Sequence, residues 1–384
     1  MSTPVENRLL QLQRFGQSPW FDYISRPLIA GGGLKRMVDC DGLGGVTSNP
    51  SIFEKAMSSG KEYDREILEL AHQGFSAAQI FDRLAIDDVR AACDVLAPVY
   101  LGTGGDDGFV SIEVSPELAY DTEGTIAEAQ RIFTAVDRPN VMIKIPGTKE
   151  GVPAVRASLE AGLNINITLL FSMSQYEAVA EAYMEALEQR LRGNMTLRGT
   201  SSVASFFVSR VDTLGDKLLD ERIAATHDVG ERRRLEALKG RAAVANSKLV
   251  YERFRSFLKA RRWQLLAPAG AKVQRVLWAS TSTKDPAYKD TMYVDELIGE
   301  HTVNTLPEAT WRAFREHGTA ARTVDKRLDD AHRVLRELAG VGIDMETVGA
   351  RLQEQGVELF TKSFEGVIGI VEEKRLALLA VEAG

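Results

Sequence analysis

Eight short apolar runs, each followed by a longer stretch with helical spacing, constrain this 384-residue chain more than any other feature. The runs are Trp20–Ser25, Gly45–Ser48, Phe109–Val114, Val141–Ile145, Leu163–Leu169, Val203–Ser209, Val273–Ala279 and Thr302–Leu306. A helical period marks Leu28–Val38, Glu62–Val99, Thr125–Val136, Gly151–Glu160, Ser172–Leu191, Asp212–Leu258 and Tyr288–Gly299 between them. Strands joined through helices pair in parallel, because a tight hairpin can only reverse the chain. Eight such units fit a (β/α)8 TIM barrel, with a doubly wound open sheet as the competitor. Three further helical stretches, Ala309–Arg315, Lys326–Ala339 and Met345–Glu372, follow the last strand and are expected to cover one end. The expectation is one α/β domain over residues 1–384, with a helical insertion at about 212–262 and C-terminal helices at about 322–384.

Strand parity decides between the barrel and its competitor. Successive side chains on a strand point to opposite faces. Leu163, Ile165, Ile167 and Leu169 share one face, with Asn164, Asn166 and Thr168 on the other. Val110, Ile112 and Val114 likewise oppose Ser111 and Glu113, and Val141, Ile143 and Ile145 oppose Met142 and Lys144. Parallel strands are normally covered on both sides, so a polar face on three of them fits an open sheet poorly. In a barrel the apolar face meets the helices and the polar face turns inward. Barrel interiors are ordinarily filled by bulky branched residues, so Lys, Glu, Asn and Thr near strand ends point to a reaction site.

Lys144 sits in Val-Met-Ile-Lys-Ile-Pro, where burying an ammonium is costly unless it is paired or loses its proton. A neutral lysine amine attacks carbonyls and forms a Schiff base. The alternative is a purely structural pair with Glu113. Asp22 and Glu113, carboxylates on separate strands, can divide proton-transfer roles; a lone strand aspartate also serves as a hydrogen-bond anchor. Arg210 and Lys284 each follow a late strand, where barrels often bind phosphate, although either alone also fits an ordinary surface charge.

Other signals are weaker. The loop Gly102-Thr-Gly-Gly-Asp-Asp-Gly108 precedes a strand, which puts it at the end of the sheet away from the site, as a connecting turn. A net charge of −7 argues against a nucleic-acid or anionic-membrane partner. The basic stretch Arg232–Arg262 is interleaved with Glu231, Glu236 and Glu252 at apolar helical spacing, as in a packed helix pair. Asn166 and Asn194 each begin a glycosylation pattern that reads as noise in an intracellular chain. Cys40 and Cys93 are too few for a disulfide framework, and the polar start Met1–Gln17 has no signal-peptide core. No apolar run reaches 18 residues, and a reducing cytoplasm is the expected location. His72, His227, His301, His317 and His332 show no paired ligand spacing, so no metal site is expected.

Five motifs carry a resemblance. Gly-Val-Thr-Ser-Asn-Pro-Ser-Ile-Phe (45–53), Ser-Ile-Glu-Val-Ser-Pro (111–116), Ile-Lys-Ile-Pro-Gly-Thr (143–148), Asn-Ile-Thr-Leu-Leu-Phe-Ser (166–172) and Ser-Phe-Phe-Val-Ser-Arg (205–210) closely resemble the bacterial transaldolases. The longer, single-chain branch is the better match. The motifs fall in order from about residue 18 to about residue 370. By this resemblance Lys144 is the Schiff-base lysine and Asp22 the acid/base at the C4 hydroxyl of a ketose phosphate. Glu113 and Thr168 hold a proton-relaying water. Asn49 and Asn166 bind substrate hydroxyls, Thr47, Ser205 and Phe207 line the pocket, and Arg210 binds phosphate. Ser280 matches a family serine, but Ser282 stands where many members carry a second phosphate-binding arginine, and Lys284 is the candidate replacement.

The resemblance implies transfer of a dihydroxyacetone unit between ketose and aldose phosphates in the pentose phosphate pathway. No cofactor is implied, since the iminium is itself the electron sink, and either a monomer or a homodimer fits. Two alternatives stand beside it: a lysine aldolase that releases free dihydroxyacetone, and a non-catalytic sugar-phosphate-binding barrel. Related aldolases place a tyrosine hydroxyl at the position of Phe207, and the joint presence of Lys144, Asp22 and Glu113 speaks against a non-catalytic role.

Overall fold

The computed structural model describes residues 7–58 and 60–383. Eight parallel strands close into a barrel: β1 (Gln17–Phe21), β2 (Gly45–Thr47), β3 (Phe109–Glu113), β4 (Val141–Pro146), β5 (Ile165–Leu170), β6 (Ser202–Phe207), β7 (Arg275–Ala279) and β8 (Thr302–Leu306). Closure comes from β1 pairing with β8, Trp20 opposite Thr305. The (β/α)8 expectation is met.

Two strands depart from their expected form. β1 begins at Gln17 and ends at Phe21, three residues before the expected start and four before the expected end. Gln17, Ser18 and Pro19 lie outside the expected apolar run, yet the barrel floor satisfies the polar pair. Gln17 Nε2 donates to the Leu297 carbonyl (2.8 Å) and to Thr302 Oγ1 (3.0 Å), and Ser18 Oγ donates to Asp107. Asp107 also accepts from Trp20 Nε1 (2.8 Å) and meets Arg275 (3.2 Å). The glycine-rich turn thus seals the floor.

In β5 the alternation fails after Thr168. Ile167 pairs with Ala204 but Leu170 with Phe206, so one extra residue sits on β5. Leu169 takes it up at φ +60°, a left-handed conformation that costs a non-glycine residue roughly 1–3 kcal/mol. Leu169 therefore leaves the face it was expected to share with Ile165 and Ile167.

The insertion forms helices Ser209–Ala225, Val229–Glu236, Ala242–Lys259 and Arg261–Leu266. Their arginines are tied to the body of the protein: Arg253 to Glu177 (2.6 Å), Arg262 to Glu188 (2.6 Å) and Arg241 to Asp330 (2.7 Å). After β8 come Glu308–His317, Leu328–Gly340 and one long helix, Met345–Ala383. The last runs past its expected end at Glu372 because Leu378 and Leu379 pack on the core and Glu382 meets His72 at 2.7 Å. No helix among the described residues is long and apolar enough to cross a membrane.

Candidate active site

Parallel strands in register put the polar inward faces side by side. Glu113 pairs with Lys144, and Lys144 with Asn166. The lysine is 4% exposed. Its Nζ lies 3.0 Å from Glu113 Oε1 and donates to the Ser48 carbonyl at 3.0 Å. Burial pushes the Glu113 carboxyl above the ordinary glutamate range; neighbouring Lys144 opposes this and Asp22 adds to it. Glu113 Oε2 and Thr168 Oγ1 are buried with no hydrogen-bond partner among the described residues. Leaving such oxygens dry costs about 1–3 kcal/mol each, so each is a place where a polar molecule can bind.

Asp22 follows β1 at the barrel mouth, its amide held by the Leu306 carbonyl (2.9 Å). Its Oδ1 accepts from Thr47 Oγ1 (2.6 Å), and that hydroxyl lies 2.6 Å from Thr305 Oγ1. Desolvation raises the Asp22 pKa, against the lowering pull of Thr47, Lys144 and Lys284. Deeper in, Asn166 Nδ2 donates to Ser111 Oγ (3.0 Å) while its Oδ1 accepts from Ser205 Oγ (2.6 Å). That locks the carboxamide orientation. Asn49 Oδ1 caps the helix Pro50–Ser58 through Ile52 N (3.1 Å), a structural duty absent from the sequence reading.

The opposite rim is cationic. Arg210 lies in the first turn of Ser209–Ala225, where helix amides already favour anions. Its guanidinium sits 5.4 Å from the Phe207 ring centroid, Nη1 is buried without a partner among the described residues, and burial lowers its pKa. Ser280, at φ +55°, holds Ser209 through its carbonyl (3.0 Å) and its hydroxyl (2.9 Å). Lys284 Nζ donates to Ser282 Oγ (2.7 Å), and its pKa is lowered by burial and by Arg210, against an upward pull from Asp22. Lys284 therefore senses both ends of the site. Its loop is held to the Arg210 helix, for Asp212 accepts from Tyr293 (2.9 Å) and Asp216 from Tyr288 (2.6 Å). Burial pushes Asp212 up to about 7.

The twelve residues named from the sequence lie on strands β2 to β6 or in the segments that follow β1, β2, β6 and β7, with Asn166, the second residue of β5, lower in the barrel. Four residues on or near this wall were missed. Ser111 stood on the polar face of its strand with Glu113 but was given no role, and Thr305 is a strand hydroxyl that the same alternation could have flagged. Phe360, with its ring centroid 6.0 Å from Lys144 Nζ, and Gln353 come from the last helix, about two hundred residues away. Among the described residues no group of three or more His, Cys, Asp or Glu is placed to hold a metal ion.

Comparison with known proteins agrees with this architecture. Residues 19–370 match the family described as Transaldolase/Fructose-6-phosphate aldolase. The chain is 45% identical over 372 residues to a transaldolase of Trichodesmium erythraeum, covering 96% of this chain and 98% of that protein. It is 46% identical over 361 residues to "Transaldolase 1" of Streptomyces avermitilis, covering 94% and 93%. A transaldolase of Mycobacterium bovis is 45% identical over 368 residues, covering 95% and 96%. A family match across most of the sequence, joined to close relatives along nearly their whole length, means that this chain belongs to the transaldolase/fructose-6-phosphate aldolase family.

Proposed function

We propose that the chain is a transaldolase, carrying a dihydroxyacetone unit reversibly from sedoheptulose 7-phosphate to glyceraldehyde 3-phosphate, with erythrose 4-phosphate and fructose 6-phosphate as products. The observation that carries this reading is Lys144 Nζ held 3.0 Å from Glu113 inside the barrel, with the Asp22 carboxylate near enough to feel its charge. A nucleophilic amine needs a nearby base, and cleavage needs a second one at the far side of the bond.

Lys144 Nζ attacks C2 of the ketose, and Glu113, with a water seated on its free oxygen and on Thr168, moves the protons as the carbinolamine loses water. Asp22 then takes the C4 hydroxyl proton. C3–C4 breaks, its electron pair flows into the iminium to give an enamine, and the aldose phosphate leaves. An acceptor aldehyde reverses these steps. Asn49, Asn166 and Ser205 bind hydroxyls of the enzyme-bound three-carbon unit, Thr47 steadies Asp22, and Arg210 and Lys284 bind the phosphate near Ser280. The pentose phosphate pathway in the cytoplasm is the proposed setting, with sugar phosphates as the partners.

Borohydride added with fructose 6-phosphate should fix a three-carbon adduct on Lys144, and transfer product should form only when an acceptor aldose phosphate is added. An adduct on another lysine sinks the mechanism. Steady release of free dihydroxyacetone without acceptor makes the protein an aldolase instead. Phe207, with no hydroxyl to activate water, favours transfer.

Arg210→Ala should raise KM for fructose 6-phosphate roughly 10- to 100-fold, the loss of one or two charge-assisted hydrogen bonds. Lys284→Ala, on the exposed rim, should raise it only about two- to fivefold. Unphosphorylated fructose is the control: its kcat/KM should be nearly the same in all three proteins. An unchanged KM in Arg210→Ala would remove the phosphate role.

A further inference from the structure

The long last helix does more than cover the barrel. Gly349, Gln353, Gly356 and Phe360 recur at steps of four, three and four, so they share one face. That face is pressed on the end of β5. A Cβ at Gly356 would lie 2.8 Å from Leu169 Cδ2, and one at Gly349 2.6 Å from Ser172 Cβ. Between the two glycines, Gln353 Nε2 donates to the carbonyls of Gly147 (2.8 Å) and Leu169 (3.0 Å). These carbonyls follow Lys144 and Thr168 at the ends of β4 and β5. The same two ends are joined directly, Gly147 N donating to the Thr168 carbonyl at 2.8 Å.

This clip sits where the backbone is strained. Leu169 is the left-handed bulge residue, and the bulge aims Thr168, whose hydroxyl is buried without a partner among the described residues. A strained conformation persists only when its surroundings over-determine it. Here one side of the Thr168–Leu169 segment is held by Gly147, the other by a carboxamide from the C-terminal helix.

We propose that Gln353 is a positioning residue for the Schiff-base chemistry: it holds the ends of β4 and β5 so that the Thr168 hydroxyl and Glu113 keep the water that relays protons to and from the Lys144 adduct. This rests on the reaction proposed above. Both partners of Gln353 are acceptors, so its two N–H groups carry the effect and its size does not. The proton steps of iminium formation and hydrolysis are affected, whereas phosphate binding belongs to Arg210 on the helix after β6, which is not a partner of the Gln353 carboxamide.

Gln353→Met keeps the length and removes both donors. Its kcat should fall on the order of 10- to 100-fold, the range of a sub-ångström to 1 Å misplacement near a catalytic group, while KM for fructose 6-phosphate stays within about twofold. The rate at which borohydride captures the adduct on Lys144 should fall by the same factor in protein shown folded by circular dichroism. Gln353→Glu, the near-isosteric variant, should behave alike at neutral pH and stands in should the methionine variant not fold. A variant that captures the adduct at the wild-type rate, or that loses activity only through KM or thermal stability, overturns the proposal. Wild-type protein that forms no Lys144 adduct refutes instead the reaction on which it rests, so the two failures are separable.

Discussion

Lys144→Met is expected to lower kcat on the order of 10⁴-fold or more and to abolish the borohydride-trapped adduct. Removing the nucleophile of a covalent mechanism leaves only binding and polar stabilisation, and residual rates of that kind are small. The variant also tests whether the ion pair is structural. Removing one partner of a buried pair generally costs about 3–5 kcal/mol because the other charge is left unpaired. Glu113 has an escape, for burial already raises its pKa and the loss of the lysine removes the opposing pull, so it takes up a proton. A carboxyl whose folded pKa lies above its unfolded value stabilises the fold below the unfolded pKa, and that stability is lost as pH rises through the folded pKa. The Lys144→Met protein should therefore melt at lower temperature at pH 8 than at pH 5. Adding Glu113→Gln should flatten that dependence without returning activity. Transfer activity above about 1% of wild type in either variant would contradict covalent catalysis by Lys144.

Much of the site could be read from alternation alone, because β3, β4 and β5 each show one apolar and one polar face, and a closed barrel gives the polar faces one place to go. Parity placed Glu113, Lys144, Asn166 and Thr168 inward; the register brings the first three level, with Thr168 one inward step further along β5, opposite Pro146. β1 was harder. Its polar start, Gln17 and Ser18, shows no apolar run, and the floor partners Leu297, Thr302 and Asp107 that satisfy the two side chains lie far along the chain. Asp22, expected inside the strand, instead follows its last residue at the barrel mouth. The bulge at Leu169 had no local signal: Ile-Thr-Leu-Leu continues the strand pattern, and the strain comes from tertiary support. The same holds for Gln353 and Phe360. A helix period marks a buried face but does not say which surface it buries, and only the close approach at Gly349 and Gly356 identifies the barrel mouth. Net charge misled in a comparable way. The total of −7 describes the whole chain, whereas Lys144, Arg210 and Lys284 make the pocket attractive to an anion.

Asp22→Asn should separate the two halves of the reaction. The carboxamide fits the same space and can still meet the Thr47 hydroxyl, which lies 2.6 Å from Oδ1, but it cannot take the C4 hydroxyl proton. Iminium formation belongs to Lys144 and Glu113 and should persist, whereas C3–C4 cleavage loses its base. A kcat fall of roughly 10²- to 10⁴-fold is expected, the usual contribution of a positioned base. Borohydride should then fix the intact six-carbon sugar on Lys144 in place of the three-carbon unit seen with wild type, and mass spectrometry of the labelled peptide distinguishes them. The pH profile follows from the same group. Asp22 acts as the carboxylate, so the rate falls as pH drops through its folded pKa; desolvation raises that pKa, which puts the acidic limb of kcat/KM above the range of an ordinary aspartate. Lys284 is one of the charges holding it down. Lys284→Ala should therefore move the acidic limb to still higher pH, an effect separate from its loss of phosphate affinity. A three-carbon adduct in Asp22→Asn at the wild-type rate would show that another group removes the C4 proton.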